Sequence, residues 1–313
     1  MKQYKKTVFK MMIIAVMAFL LLRNIDAKEV LRYLMDADWK ILCPAFFLLC
    51  FHCVILALKW KVLLVSTGFR SLLGGVLVSH VVTYSIGGQL AGEGGKILFL
   101  RQSGENMGMI TASVFVDKLT GLLGVFVVGF FGMLLSDGYL PDRYRVIYCI
   151  VVMCCSCIIS GLFRKNTLHI FGIFSGRIRK RAGIWTKAGT LLDDMLKAVG
   201  QFADHKKMIG HSIVWGIVQQ TVSAFSCYLI CAAMGIDIGF GELCWIQSLT
   251  SVISLIPLSV MGLGASQVSV ISLMMLVGIT RESAAGYSLV LYMMQLGVAA
   301  LAVIILMSGT VKD

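Results

Sequence analysis

The chain is predicted to be an all-α integral membrane protein with about seven to nine hydrophobic segments, including re-entrant broken hairpins. Three observations carry that prediction. The 313 residues are 58% hydrophobic and only 14% charged, with mean hydropathy +0.88, whereas a soluble domain is roughly a quarter charged. The apolar runs approach the ~20 residues that a helix needs to cross a ~30 Å hydrocarbon core, and they lack the alternation of an outer-membrane barrel. Glycine clusters and a proline interrupt two of the runs, and bare backbone at membrane depth is tolerated only within protein or beside a cavity.

In chain order, Met1-Lys-Gln-Tyr-Lys-Lys precedes the apolar run Val8–Leu22. This start reads as an uncleaved first helix with its N-terminus in the cytoplasm. The small-x-small cleavage pattern is poor, because Arg23 ends the run and Ile25 stands three positions before Ala27. Further windows at 41–58, 71–90, 110–135 and 146–163 complete an N-terminal half, 1–163. Windows at 211–234, 242–259, 262–279 and 284–308 form a C-terminal half, 211–313, of one polytopic domain over 1–313.

The two halves are joined by a basic segment, 164–210, with ten of the 28 Lys+Arg against Asp193, Asp194 and Asp204. That excess places it in the cytoplasm by the positive-inside bias. Within it, Ile184, Ala188, Leu191, Leu192, Met195, Val199 and Phe202 recur at helical spacing, as in an amphipathic helix lying on the membrane face. The net charge of +12 is explained by topology, so no nucleic-acid partner is expected.

Crossing parity then constrains the middle of the N-terminal half. A cytoplasmic 164–210 makes 146–163 enter from outside and 110–135 start inside, while Lys59-Trp-Lys61 also lies inside. Segment 71–90 must therefore leave and return on one side, as a hairpin turning near Gly87-Gly88. Gly92 lies in the glycine-rich stretch that follows. The C-terminal half holds a second break at Pro257 and Gly262-Leu-Gly264, flanked by Ser254, Ser259, Ser266 and Gln267. Two discontinuous hairpins entering from opposite faces suggest an inverted repeat with a site near the midplane.

Charge inside the apolar runs marks candidate site residues. Asp117 and Lys118 lie within 110–135, and each costs roughly 2.5–3.5 kcal/mol at the bilayer centre. Neighbours in a helix do not face each other, so partners must come from elsewhere, with Glu93 and Lys96 as the candidates. Two readings stay open and are compatible: an ion-pair network that locks the hairpin, or an amphoteric headgroup site. In the second, glycine-rich backbone N–H groups with Lys96, Arg101 and Lys118 take a phosphate, while Glu93 and Asp117 face a cation. His52 and His80 read as packed residues on apolar faces.

No metal site is expected of the ten cysteines, because no His/Asp set accompanies them at ligand spacing. No cofactor motif, Walker loop, Gly-x-Ser-x-Gly or HExxH is present, and the longest polar segment is too short for a soluble catalytic domain of ordinary size. A non-enzymatic membrane protein is the simpler expectation.

Three short motifs carry a resemblance. Gly92-Glu-Gly-Gly-Lys96, followed by Ile110-Thr-Ala-Ser-Val-Phe-Val-Asp-Lys-Leu-Thr-Gly-Leu-Leu123, is similar to the GE-x-x-R … ASV-x-x-ER-x-x-DLL pattern. That pattern belongs to the lysylphosphatidylglycerol synthase transmembrane-region (flippase-like) family. Ile256-Pro-Leu-Ser-Val-Met-Gly-Leu-Gly-Ala-Ser-Gln267 resembles the family's later LP-x-x-PGGLG-x-x-E break. Gly278-Ile279 and then Glu282-Ser-Ala-Ala resemble the turn before its last helix.

Some positions depart from the pattern. Lys96 and Lys118 stand where the family usually has Arg, which keeps charge and loses the bidentate fork. Asp117 replaces Glu, Gly88 stands near an expected Pro, Val260 replaces Pro, and Gln267 replaces an acid.

The resemblance implies a multi-pass protein of the bacterial inner membrane, like the membrane domain of the multiple peptide resistance factor, which protects against cationic antimicrobial peptides. It implies translocation of aminoacylated phosphatidylglycerol (lysyl-phosphatidylglycerol) or a related polar lipid between leaflets. The alternatives are a membrane-embedded phosphatidylglycerol lysyltransferase or a membrane partner of a separate synthase or transferase. The implied ligand is a membrane phospholipid, anionic or aminoacylated. Glu93, Lys96, Asp117 and Lys118 are expected at the headgroup, and Gly262 and Gly264 are expected to keep the facing hairpin bent.

Overall fold

A computed structural model describes residues 35–101, 106–136, 142–162, 200, 202, 204–255 and 265–309. The predicted first span 8–22, most of the basic segment 164–210, and Pro257, Val260, Gly262 and Gly264 lie outside the described residues.

The N-terminal half comprises α1 (Trp39–Leu63), α2 (Phe69–Val82), a π-turn (Thr83–Gly87), α3 (Gly88–Leu100), α4 (Met107–Leu135) and α5 (Asp142–Leu162). The C-terminal half comprises α6 (Lys206–Ala233), α7 (Phe240–Ile253), α8 (Ala265–Leu276) and α9 (Arg281–Met307). Helices α1, α4, α6 and α9 are long and apolar enough to cross a membrane, and no strand occurs among the described residues. Helix α6 begins at Lys206, so the last residues of the predicted basic segment belong to a crossing helix instead.

Local chemistry sets the helix starts. Asp38 accepts the Lys40 N–H at 2.8 Å, Asn106 accepts the Gly108 N–H at 2.8 Å, and Thr280 accepts the Ser283 N–H at 3.3 Å. These side chains satisfy amides that have no partner in the first helical turn. Helices α2 and α7 instead start from extended glycines, Gly68 and Gly239, each followed by a phenylalanine.

A long–short–short–long order recurs in the two halves. Helices α1 to α4 have 25, 14, 13 and 29 residues, and α6 to α9 have 28, 14, 12 and 27.

Direction follows from cross-helix bonds. Asp38 N–H donates to the Ala233 carbonyl at 2.8 Å, and Ser226 Oγ donates to the Ala45 carbonyl at 3.1 Å, so α1 and α6 run antiparallel. Thr120 Oγ1 and Ser212 Oγ meet at 2.8 Å, and Gly124 lies on Gly216, so α4 runs parallel to α6. The end of α1 therefore meets the starts of α4 and α6 at one end of the bundle, where Leu64, Ser66, Asn106 and Met208 line one shallow depression.

Because α1 ends and α4 begins at this first end, α2–α3 is a hairpin that enters and returns there. Gly88 turns the chain with φ 72°, a left-handed conformation that glycine adopts without steric cost. Ser248 Oγ donates to the Val125 carbonyl and Gly132 lies on Gly241, so α7 enters antiparallel to α4, from the opposite end. Helix α9 starts at that opposite end too, since Ala284 and Tyr287 share a core with Ala37 and Ala233. Its later Ala302 shares a core with Leu63.

The halves are interlocked. Helix α2 packs on α9, and α7 packs on α4, so each hairpin leans on the last long helix of the other half. Small residues permit the closest approaches: a Cβ on Gly124 would stand 2.7 Å from the Gly216 carbonyl oxygen. Close backbone approach through small residues is the usual adhesive of helices in lipid, where burial of apolar area gives little gain.

Candidate functional site

Two polar regions lie within the bundle. The first is an ion-pair network of five residues from three helices. Lys59 of α1 sits 2.9 Å from Asp117 Oδ1 of α4 and donates to the Asp117 backbone carbonyl at 2.6 Å. Lys96 of α3 stands 3.7 Å from Asp117 Oδ2 and 3.3 Å from Glu93 Oε2, and Lys118 of α4 lies 2.8 Å from Glu93 Oε1. Lys59, Lys96 and Asp117 are buried, whereas the Lys118 side chain is 39% exposed.

Trp60 completes this region. Its Nε1 donates to Ser113 Oγ at 3.0 Å, and its ring lies 5.0 Å below the Lys96 ammonium. That distance is within cation–π range. The hairpin beneath fits because Gly92 faces α2 directly: a Cβ there would overlap Thr83 Oγ1 and stand 2.6 Å from the Ser79 carbonyl.

The second region is a cavity of about 260 Å³ at mid-bundle. The tip of the first hairpin contributes Thr83, Tyr84, Gly88 and Gln89, and the edges of the second break contribute Ser254, Ser266 and Gln267. Helix α6 adds Gln219, Gln220 and Ser223 near its midpoint, and α9 adds Ser288, Tyr292 and Gln295 near its own. His52, half-way along α1, and Gln247 and Thr250 of α7 close the wall. No Asp, Glu, Lys or Arg is among the described residues lining it.

Inside this wall Gln247 is anchored, its Nε2 donating to Tyr287 Oη at 3.0 Å and to Cys227 Sγ at 2.9 Å. Three neighbours are not. Gln219 Oε1, Gln220 Nε2 and Thr250 Oγ1 are buried with no hydrogen-bond partner. A buried polar atom left unpaired costs about 1–3 kcal/mol, so unpaired amides at one site indicate a ligand or water position.

The structure thus brings Glu93, Lys96, Asp117 and Lys118 together and adds Lys59. By sequence Lys59 reads as part of the cytoplasmic flank, because the apolar window closes at position 58. The 25-residue length of α1 carries Lys59 into the protein, where it is 1% exposed. Its neighbour Lys61 does act as a flank, donating to the Val65 and Thr67 carbonyls. Arg101, just past α3, is exposed and stands outside the network's ion pairs. Gln267 lines the cavity instead.

His52, read from sequence as a packed residue, is in the cavity wall, while His80 pairs with the Gln295 carbonyl at 3.2 Å. Of the cavity glutamines, the sequence reading singles out Gln267 alone. The available signal was their place inside apolar runs: Gln219-Gln220, Gln247 and Gln295 each interrupt a membrane segment.

These features define a class: an all-helical membrane protein in which two interlocked half-bundles send broken hairpins from opposite ends to a shared polar cavity. The chain belongs to the family described as the lysylphosphatidylglycerol synthase TM region, which it matches over residues 7–303. Membership supports a lipid-related function in a membrane. No curated protein matches the chain.

Proposed function

We propose that this protein translocates a polar lipid between the leaflets of the bacterial inner membrane, the headgroup passing through the central cavity while the acyl chains stay in the bilayer. The observation that supports this reading is the position of the cavity, half-way along α1, α6 and α9 and between the tip of the first hairpin and the edges of the second break. A headgroup crossing bare hydrocarbon loses its hydrogen bonds at roughly 2–7 kcal/mol per group. Amide and hydroxyl walls at the midplane replace those bonds. The family suggests aminoacylated phosphatidylglycerol, lysyl-phosphatidylglycerol first, or a related polar lipid.

In this reading the first end of the bundle is cytoplasmic, since α6 begins there directly after the basic stretch 164–205. The charged network fastens the first hairpin to α1 and α4. Its three ammonium groups outnumber its two carboxylates, and the half-buried Lys118 offers the excess charge to a lipid phosphate. Gln267 meets the headgroup from the facing hairpin.

The test is reconstitution of the full chain in liposomes that hold lysyl-phosphatidylglycerol only in the inner leaflet, followed by labelling with an impermeant amine reagent. Wild type is expected to expose the lipid. Glu93→Leu and Lys118→Met are expected to insert normally but expose it at least about tenfold more slowly, the effect of ~1.4 kcal/mol on a barrier. Unchanged rates in both variants would sink the assignment.

A further inference from the structure

The cavity's chemistry is more specific than its position. All six glutamines among the described residues line it: Gln89, Gln219, Gln220, Gln247, Gln267 and Gln295. They come from four different helices, α3, α6, α7 and α9, and from the start of α8. A glutamine amide is costly at membrane depth, and nothing about helix formation requires one there. Five serines and two threonines join them, and no formally charged group is among the described residues of the wall.

Resting on the translocation reading, we infer that this cavity receives an uncharged polyhydroxyl headgroup, a sugar or a terminal glycerol, in preference to an aminoacyl one. Each hydroxyl both donates and accepts, and a glutamine amide offers both functions from one rigid plane. The unpaired atoms have this mixed character. Gln219 Oε1 accepts, Gln220 Nε2 donates, and Thr250 Oγ1 does either. Gln220 and Thr250 are 5% and 8% exposed, so these atoms are held in the wall and not in bulk solvent. An aminoacyl headgroup presents the opposite chemistry: a lysyl ester carries two ammonium groups and uses up a glycerol hydroxyl. Burying an ammonium without an anion beside it is strongly unfavourable, no carboxylate is among the described lining residues, and the network's Glu93 and Asp117 are committed to lysines. The volume of about 260 Å³ suits a headgroup and not a whole lipid.

Binding and transport are measured separately on the full-length protein. In detergent, thermal stabilisation is recorded with dioctanoyl lipids bearing glucosyl, phosphoglycerol, lysyl-phosphoglycerol or phosphocholine headgroups. In liposomes, impermeant periodate reports the appearance of inner-leaflet vicinal diols at the outer face, and the amine reagent reports the lysyl lipid. Glucosyl or phosphoglycerol lipids are expected to bind at least about tenfold tighter than the lysyl lipid, and to flip faster. A preference for the glucosyl lipid identifies a glycolipid source, and one for the phosphoglycerol lipid identifies phosphatidylglycerol.

Gln220→Leu with Thr250→Val is expected to abolish that preference. Gln267→Glu, which keeps the oxygen that accepts from Ser266 Oγ, is expected to shift preference toward the lysyl lipid. A gain of that kind also shows that the variant is folded. Equal or tighter binding of the lysyl lipid by wild type overturns the inference even if flipping is fast. Selective polyol binding with no flipping of any lipid upholds the inference and removes the translocation reading.

Discussion

The two halves of the bundle share an order of helices but differ in what they bury at matching positions. The caps Asn106 and Thr280 lie 174 positions apart, and the same step carries Glu93 to Gln267, Lys96 to Val270, Asp117 to Leu291 and Lys118 to Tyr292. The first member of each pair belongs to the ion-pair network, and the second lines the neutral cavity. One half therefore closes around its own charges, and the other leaves polar atoms open. A buried pair is costly to break and rigid once made, whereas an unpaired amide is costly until something fills the space beside it. The comparison teaches that charge in this membrane protein serves to hold, and neutral polarity serves to receive.

The sharpest way to break that contrast is Asp117→Leu. It strands Lys59 in the protein interior, leaves Lys96 with Glu93 alone, and is expected to destabilise the fold by about 3–5 kcal/mol in SDS-titrated unfolding. Adding Lys59→Met to Asp117→Leu should recover part of that loss, because removing both charges is far milder than removing one. A smaller effect is expected of Gly124→Val, whose side chain meets the Gly216 backbone of α6. Overpacking of that kind costs about 1–3 kcal/mol, and the melting temperature in detergent measures it. Trp60→Phe keeps the ring over Lys96 but loses the bond to Ser113, for about 0.5–1.5 kcal/mol in the same titration.

At the low end stand the two substitutions that separate holding from receiving. Lys118→Met removes a cation that is 39% exposed and should cost no more than about 1 kcal/mol, although transport is expected to fail. Gln220→Leu removes an unpaired donor and should leave stability within about 1 kcal/mol of wild type, or raise it. A large loss of stability in Gln220→Leu would mean that the glutamines are structural, and the contrast between the regions would disappear.

Much of the fold was legible because its determinants are local. Each crossing helix satisfies its own backbone hydrogen bonds and announces itself by length and hydropathy, and Gly87-Gly88 marked a turn because glycine alone enters the left-handed region without steric cost. Crossing parity required a re-entrant hairpin, and α2–α3 is one. The acid–base residues of the network stood out because charge in an apolar run is rare. Lys59 did not, since a lysine at the edge of an apolar window looks like any interfacial lysine until the helix is seen to continue past it.

The sequence by itself determined an all-helical membrane bundle with a broken, charged N-terminal hairpin and a second break in the C-terminal half. The tertiary structure alone decided which charges pair and where the open polar surface lies. The reason is physical: the Lys59–Asp117 contact spans 58 positions, and the cavity joins residues from His52 to Gln295. Such meetings depend on how helices cross, through close approaches such as Gly124 on Gly216, and a neutral glutamine carries no local signal of which face it will present.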